Sequence, residues 1–507
     1  MLDLPSVLPL AWTLLGVGIA AGIGYLICGP ARYRQLTRII NAQTAAGQDE
    51  TENADDQDDN AWSHQGASIH CPTISVVAFG KPDTDQIGAF LHGIADQDYP
   101  NVEIIIVVDG SAREASNLAE TFDGAYPDLY FTFVPPEAQN LSRRKLGNTM
   151  GIKKATGDII LTTLTNIEIP SRQWLSLMAG QFTGPDVEIV LGGACMDLRG
   201  LRGPKRWYRR FDTLLTVARW MLAAIDGRPY RGDGANLAFR RDLFFRNSGY
   251  GNNYYLHSGD DDIFVSQVAT ATNSRFQFAR QARVLVDWGE GTRRQWISLK
   301  QRYRFASRFL NAGPRLRQGV IDVMLWLCTL SLAACVALSL CTIAQRPLVP
   351  LQLILPGVAM ACLLALWGLQ IALYRLMAAC LGSPRLWWAV PLFYLLRAPA
   401  DILFALRYRR SSRRNFTYRR CPRPGTASYR RETGFNSLPS CFVFSIKYFF
   451  AKKPRRQYPG THGPSARKNT RTNQKPHPAV EIAGGDSLRP LSYRHGYYGG
   501  TTSKQIL

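Results

Sequence analysis

Residues 73–110 read TISVVAFGKPDTDQIGAFLHGIADQDYPNVEIIIVVDG, and this stretch decides the fold. TISVVAF is a short unbroken apolar run, IGAFLHGIADQ places its apolar residues at helical spacing, and VEIIIVVDG is a second apolar run ending near Asp109. A strand, a helical crossover and another buried strand predict parallel pairing, because parallel neighbours need a long connection and are covered on both faces. LYFTFV and DIILTTL extend the series, helical segments fall at 141–156 and 174–182, and EIVLGGACM follows. The expectation is an α/β domain with a Rossmann-like sheet that binds its ligand beyond the carboxyl ends of the strands. Asp109 stands at one such end.

The chain has 507 residues, of which 46% are hydrophobic, too many for a single core. Residues 7–28 form an uncharged apolar run long enough to span a bilayer. No basic residue precedes it, whereas Arg32, Arg34 and Arg38 follow, so it reads as an anchor that leaves the next domain in the cytoplasm. Residues 45–66 are polar and acidic and read as a disordered linker. Two further membrane-length runs are expected at 320–343 and 351–373. The segment 386–406 is apolar but holds Arg397 and Asp401 one turn apart, which suits an interfacial helix or a membrane helix with an internal ion pair. Residues 407–507 carry 22 Lys and Arg against 3 Asp and Glu, nearly all of the formal +22, and read as a basic, largely disordered tail. The folded body is therefore almost neutral. That argues against nucleic acid as a partner and for membrane lipid. Three spans from an outside amino terminus leave the tail inside, as positive charge prefers, in a multi-pass inner-membrane arrangement. The ten cysteines show no C-x-x-C pair and no metal-ligand spacing, so they read as reduced, mostly buried thiols.

The chemistry concentrates in residues 257–309. Asp260, Asp261 and Asp262 follow Gly259 and open IFVSQVATA, whose apolar spacing is helical, so the carboxylates sit at a helix N-terminus that favours negative charge. Either one of them is a general base, or one caps the helix and the others are solvated. His257 reads as a local hydrogen-bond partner. Further on, Gln301-x-x-Arg304-Phe305 lies on a basic, aromatic helical segment over 292–309. Arginine offers a planar fork to phosphate oxygens, although a basic helix lying on anionic lipid accounts for the same composition.

An acidic pair followed by Gln-x-x-Arg-aromatic resembles the signature of the membrane-embedded family-2 glycosyltransferases, inverting enzymes of the GT-A type that include cellulose, chitin and hyaluronan synthases and smaller bacterial envelope enzymes. VVDGS resembles the family's VVDDGS, with one Asp missing, which puts Asp109 on the base or ribose of the donor. LSRRKLGNTMGIKKATGD (141–158) resembles the family's Ser-x-Lys helix, so Arg144 and Lys145 are expected to face donor phosphate. GDGANLAFRR (232–241) resembles a loop near acceptor and diphosphate, where Gly234 and Asn236 belong, with Asp233 and Arg240 beside them. By the same resemblance Asp261 deprotonates the acceptor and Asp260 orients the acceptor or the base, while Gln301, Arg304 and Phe305 hold the acceptor or the leaving diphosphate. The resemblance covers 73–310.

One motif departs. The family's metal-holding Asp-x-Asp falls here on Leu164 and Asn166, and the nearest carboxylate is Glu168. Three outcomes stand open: a weak Mg2+ or Mn2+ site of Asn166 with Glu168, a metal-independent donor site, or a chain without activity. The resemblance implies transfer of a hexose from a UDP- or GDP-sugar to a lipid-linked or envelope-glycan acceptor at the cytoplasmic face. The alternative is a silent nucleotide-sugar-binding or scaffold member of an envelope-polysaccharide complex. A transporter is disfavoured, since three spans without a repeated polar face leave little to build a pathway.

Overall fold

The computed structural model describes residues 4–408, apart from 56–70, 139–141, 200–202, 252–253, 255, 257–258, 288, 290–291, 345–352, 384–385 and 387. His257 and the tail beyond 408 thus lie outside the described residues. Two helices come first, α1 (Leu4–Cys28) and α2 (Arg32–Asp55), followed by β1 (Ile74–Gly80), α3 (Thr84–Ala95), β2 (Val102–Val108), α4 (Ala112–Thr121), β3 (Leu129–Phe133), α5 (Arg143–Lys154) and β4 (Ile159–Leu164). Next are β5 (Ile167–Glu168), α6 (Trp174–Ala179), β6 (Ile189–Gly192), β7 (Ala194–Met196), α7 (Pro204–Ile225), β8 (Leu237–Arg240), α8 (Arg241–Arg246), α9 (Asp262–Val268), β9 (Ser274–Gln277) and β10 (Val284–Val286). The chain closes with α10 (Arg293–Ala306), α11 (Ala312–Ala344), α12 (Ile354–Cys380) and α13 (Val390–Arg407).

The main sheet runs β3-β2-β1-β4-β8-β6-β9, and a second sheet runs β5-β10-β7. β1 pairs in parallel with β2 and β4, and β2 with β3, while β8 is inserted antiparallel between β4 and β6. The strands alternate strictly in what they touch. Val77, Ile105, Val107 and Ile160 join the core that contains α5 and the apolar helices, whereas Val76, Ala78, Ile104, Ile106 and Leu161 join the core under α3, α4 and α6. Burial on both faces is why these strands read as unbroken apolar runs.

Three helices are long and apolar enough to cross a membrane: one within Pro9–Gln48, then Ala312–Ile343 and Ile354–Cys380. Trp12, Ile27, Leu330 and Leu364 are among the large apolar side chains they leave exposed, the surface a bilayer would cover. Acidic and basic side chains tie these helices to the sheet domain. Asp226, just past α7, receives Arg32 at the start of α2 and Arg317 near the start of α11, the latter at 2.6 Å. Lys300 of α10 pairs with Asp212 of α7 at 2.8 Å and with Asp401 of α13 at 2.7 Å.

Two expectations need correction. The first part of the acidic stretch 45–66 is the end of α2 and not a disordered linker, because α2 docks on the domain: Gln43 takes the Phe278 N–H and donates to Phe276 O, and Thr44 takes the Arg280 N–H. Residues 56–66 lie outside the described ones. Arg397 and Asp401 do not pair with each other; α13 packs on α7 and α10, so Arg397 lies 3.7 Å from Asp212 and Asp401 turns to Lys300.

Helix α5 lies close against β1 and β2 because two of its residues lack side chains. A Cβ on Gly151 would lie 2.5 Å from Val77 Cγ1, and one on Gly147 2.8 Å from the Phe79 ring. Gly151→Ala is therefore expected to destabilise the domain by roughly 1–3 kcal/mol through overpacking. A lowered thermal midpoint of the detergent-solubilised protein is the readout, with Gly184→Ala, where nothing lies within 4 Å, as the neutral comparison.

Candidate active site

The loop 232–236 and the N-terminus of α9 meet beside β4 and α5. Asp261 caps α9: its Oδ1 accepts the Asp262 N–H at 2.8 Å and its Oδ2 accepts the Gly234 N–H at 2.8 Å. A side chain at Gly234 has no room, since its Cβ would lie 2.5 Å from Arg144 Nη2 and 3.2 Å from Asp261. On either side of Asp261 the carboxylates are buried and paired. Asp260 lies 2.8 Å from Arg144 Nε, and Asp262 lies 2.9 Å from Arg231 Nε, whose guanidinium also stacks on Tyr303 at 4.2 Å. Asp233 accepts the Ala235 N–H at 3.1 Å.

These neighbours split the four carboxylates electrostatically. For Asp261, burial opposes ionisation, but the Arg144 charge and the Gly234 and Asp262 amides outweigh it and hold the group below the ordinary carboxylate range. For Asp260, burial raises the pKa and the Asp261 charge adds to it, against the pull of Arg144. Burial and the charge of Asp261 likewise raise Asp233, and burial pushes Asp262 well up. The result is one carboxylate kept ionised among three that resist it. Beneath them Lys145 is fully buried, and burial pulls its pKa down to about 8 although Asp260 and Asp261 act to raise it.

These carboxylates line a cleft of about 320 Å³. Across it α10 presents Gln295, Ser298, Leu299, Arg302 and Ala306, which recur at helical spacing on one face. Arg302 is exposed.

Gln301, Arg304 and Phe305 are not on that face, which corrects the expectation for them. Gln301 is buried, Arg304 Nη1 donates to Asp401 O at 3.1 Å, and Phe305 sits in a small core with Leu256, Ile263 and Leu310. The helical phase of 295, 298/299, 302 and 306 was the signal that sequence reading passed over. Arg144 lies against Asp260 and lines the cleft, whereas Lys145 is fully buried because the buried face of α5 packs on β1 and β2. Asp109 lies just past β2 and accepts from Arg143 Nε at 2.5 Å, so the pair there uses the neighbour of the expected Arg144. Asn236 is a clamp: it accepts from Trp174 Nε1 at 3.1 Å and donates to Gly193 O and Ala282 O at 2.8 Å each. Asp233, expected beside Gly234, is in the site, whereas Arg231 and Asp287 belong to it and were not expected.

The residues at the expected metal position do not fit a divalent ion. Leu164 has no ligand atom, and Asn166 lines the cleft but donates its amide to Asp287 O at 3.1 Å. Glu168 faces a different cavity, where it pairs with Arg199. Among the described residues no group of three His, Cys, Asp or Glu is arranged to hold a metal.

The parallel β3-β2-β1-β4 half of the main sheet reaches this acidic cleft through Leu164 at the end of β4. Residues 73–240 match the family model for glycosyl transferase family 2. Among solved structures it is similar to the mannosyltransferase PcManGT from Pyrobaculum calidifontis in complex with GDP-Man and Mn2+, at 18% identity over 77% of this chain and 99% of that one, with a TM-score of 0.42. It is also similar to TarS 1–349 of S. aureus in complex with UDP-GlcNAc, at 14% identity over 50% of this chain and 71% of that one, with a TM-score of 0.33. No protein of curated function matches the sequence.

Anionic oxygens hold hard cations more tightly than neutral ones, so carboxylates at these two positions should create metal affinity where the native pair gives little. Titration of Mn2+ by electron paramagnetic resonance is expected to show a bound fraction in the Leu164→Asp/Asn166→Asp double variant at concentrations where the native protein leaves the ion free. Equal binding by both proteins would mean that other oxygens hold it.

Proposed function

We propose that the protein is an inverting glycosyltransferase that moves a hexose from a UDP- or GDP-sugar to a hydroxyl of a lipid-linked or envelope-glycan acceptor at the cytoplasmic face of the membrane. The observation that carries this is the ionised Asp261, held by two backbone amides and open to the cleft between buried, paired neighbours. In this reading the acceptor oxygen bonds to the anomeric carbon as the bond to the diphosphate oxygen breaks. The hydroxyl proton passes to Asp261, and the nucleoside diphosphate leaves with the bonding pair. Asp260 and Arg144 keep Asp261 in place, Asp109 with Arg143 serves the nucleoside end, and Arg302 is the cation on the cleft face of α10 that meets the diphosphate. A cleft with a poised carboxylate speaks for turnover and against a silent scaffold. The cytoplasmic placement rests on Arg32, Arg34 and Arg38 following the first apolar run.

Asp261→Asn should lower turnover by about 100- to 10,000-fold while donor affinity stays near native, as loss of a general base does. Donor binding by calorimetry and transfer by product release, over a panel of nucleotide sugars, separate the two effects; full activity in the variant would sink the assignment. The pH profile adds a check with a defined sign. Asp261 works as the ionised form and titrates below the ordinary carboxylate range, so the acid limb should lie below that range.

A further inference from the structure

A second cavity, of about 230 Å³, lies where the β5-β10-β7 sheet meets α7 and the C-terminal end of α12. It has Met196 in common with the cleft. Arg283 forms part of its wall and is only 8% exposed. Its Nη1 donates to Cys380 O at 3.0 Å, its Nη2 lies beside Gly382, and its Nε is buried without a hydrogen-bond partner. No carboxylate pairs with it among the described residues; the acidic side chains of the wall, Glu168 and Asp197, are both held by Arg199. Ser383 Oγ is a second buried atom without a partner, and Arg280 lines the same space.

An arginine cannot shed its proton, and a buried cation without a counter-charge is costly. The carbonyl end of α12 supplies only the partial negative charge of a helix terminus. The Arg283 charge in this wall is thus one that an anion would balance. A forked guanidinium, a second arginine and a hydroxyl suit the tetrahedral oxygens of a phosphate ester. The cavity lies just past the C-terminal end of α12, a helix of membrane-spanning length, and where such a helix crosses a bilayer its end stands at the level of the lipid headgroups. We infer that this second cavity binds the phosphate of an anionic membrane lipid through Arg283, Arg280 and Ser383.

The test uses the full-length protein purified in detergent and measures retention of radiolabelled phosphatidylglycerol against phosphatidylcholine, with inorganic phosphate as competitor. Native protein should retain phosphatidylglycerol preferentially. Arg283→Gln should lower that retention by about tenfold, the worth of a charge-assisted hydrogen bond, and Ser383→Ala should lower it less. Arg294→Gln, an exposed arginine at the start of α10, should leave it unchanged. Retention that resists excess phosphate identifies a lipid headgroup, whereas saturable phosphate binding without lipid preference replaces the lipid with a free phosphate ester and overturns the inference as stated. Equal retention in Arg283→Gln, or an equal loss in Arg294→Gln, overturns it too. Should Arg283→Gln not fold, as judged by its thermal midpoint, Ser383→Ala and Arg280→Gln decide, and native retention in both refutes the site. Because lipid retention is read and not transfer, the outcome does not depend on the proposed reaction.

Discussion

Crowded carboxylates are the constraint around which the domain is arranged. Asp233, Asp260, Asp261 and Asp262 share one small volume, and such a cluster folds only if counter-charges and amides are brought to it from elsewhere in the chain. Arg144 comes from α5, Arg231 from the segment before the glycine loop, and the Gly234 amide from the loop itself. Each of these in turn dictates packing. Arg144 reaches Asp260 only because Gly147 and Gly151 let α5 lie close on β1 and β2, and Gly234 reaches Asp261 only because it has no side chain. The sheet, the helix spacing and the loop are thus joined through one electrostatic requirement.

The parallel half of the sheet was legible in the sequence because burial on two faces leaves an unmistakable trace, a run of apolar residues with no polar alternation. The three membrane-length helices were legible for a similar reason, since their surroundings impose apolarity along the whole length. The acidic stretch after the first span was not. Gln43 and Thr44 bind the edge around Phe276 to Arg280, more than two hundred positions away, and no local composition announces such a contact. It takes a tertiary surface to turn a polar sequence into a helix.

The site was legible in location and misread in orientation. The run at Asp260–Asp262 and the loop around Gly234 do meet, and Asp261 is the carboxylate held by both. Motif matching, however, names positions and says nothing of rotation about a helix axis. On α10 the motif residues Gln301, Arg304 and Phe305 turn toward protein, and the cleft receives residues before, between and after them. Similarly Lys145 matches a donor-facing position and lies wholly under the carboxylates, because the first turn of α5 is an inner surface. Charge alone could not separate these cases.

The underside of α10 carries a last consequence. Lys300 is inserted between Asp212 and Asp401 while, one turn on, Arg304 grips the backbone of α13. A helix fastened in this way on its rear surface has little freedom to rock, so the side chains on its front surface stand in working position before any substrate arrives. The entropy of ordering that wall is met once, when the chain folds, and not again at each encounter. A substrate entering the cleft finds a rigid jaw and must itself supply whatever movement the fit requires.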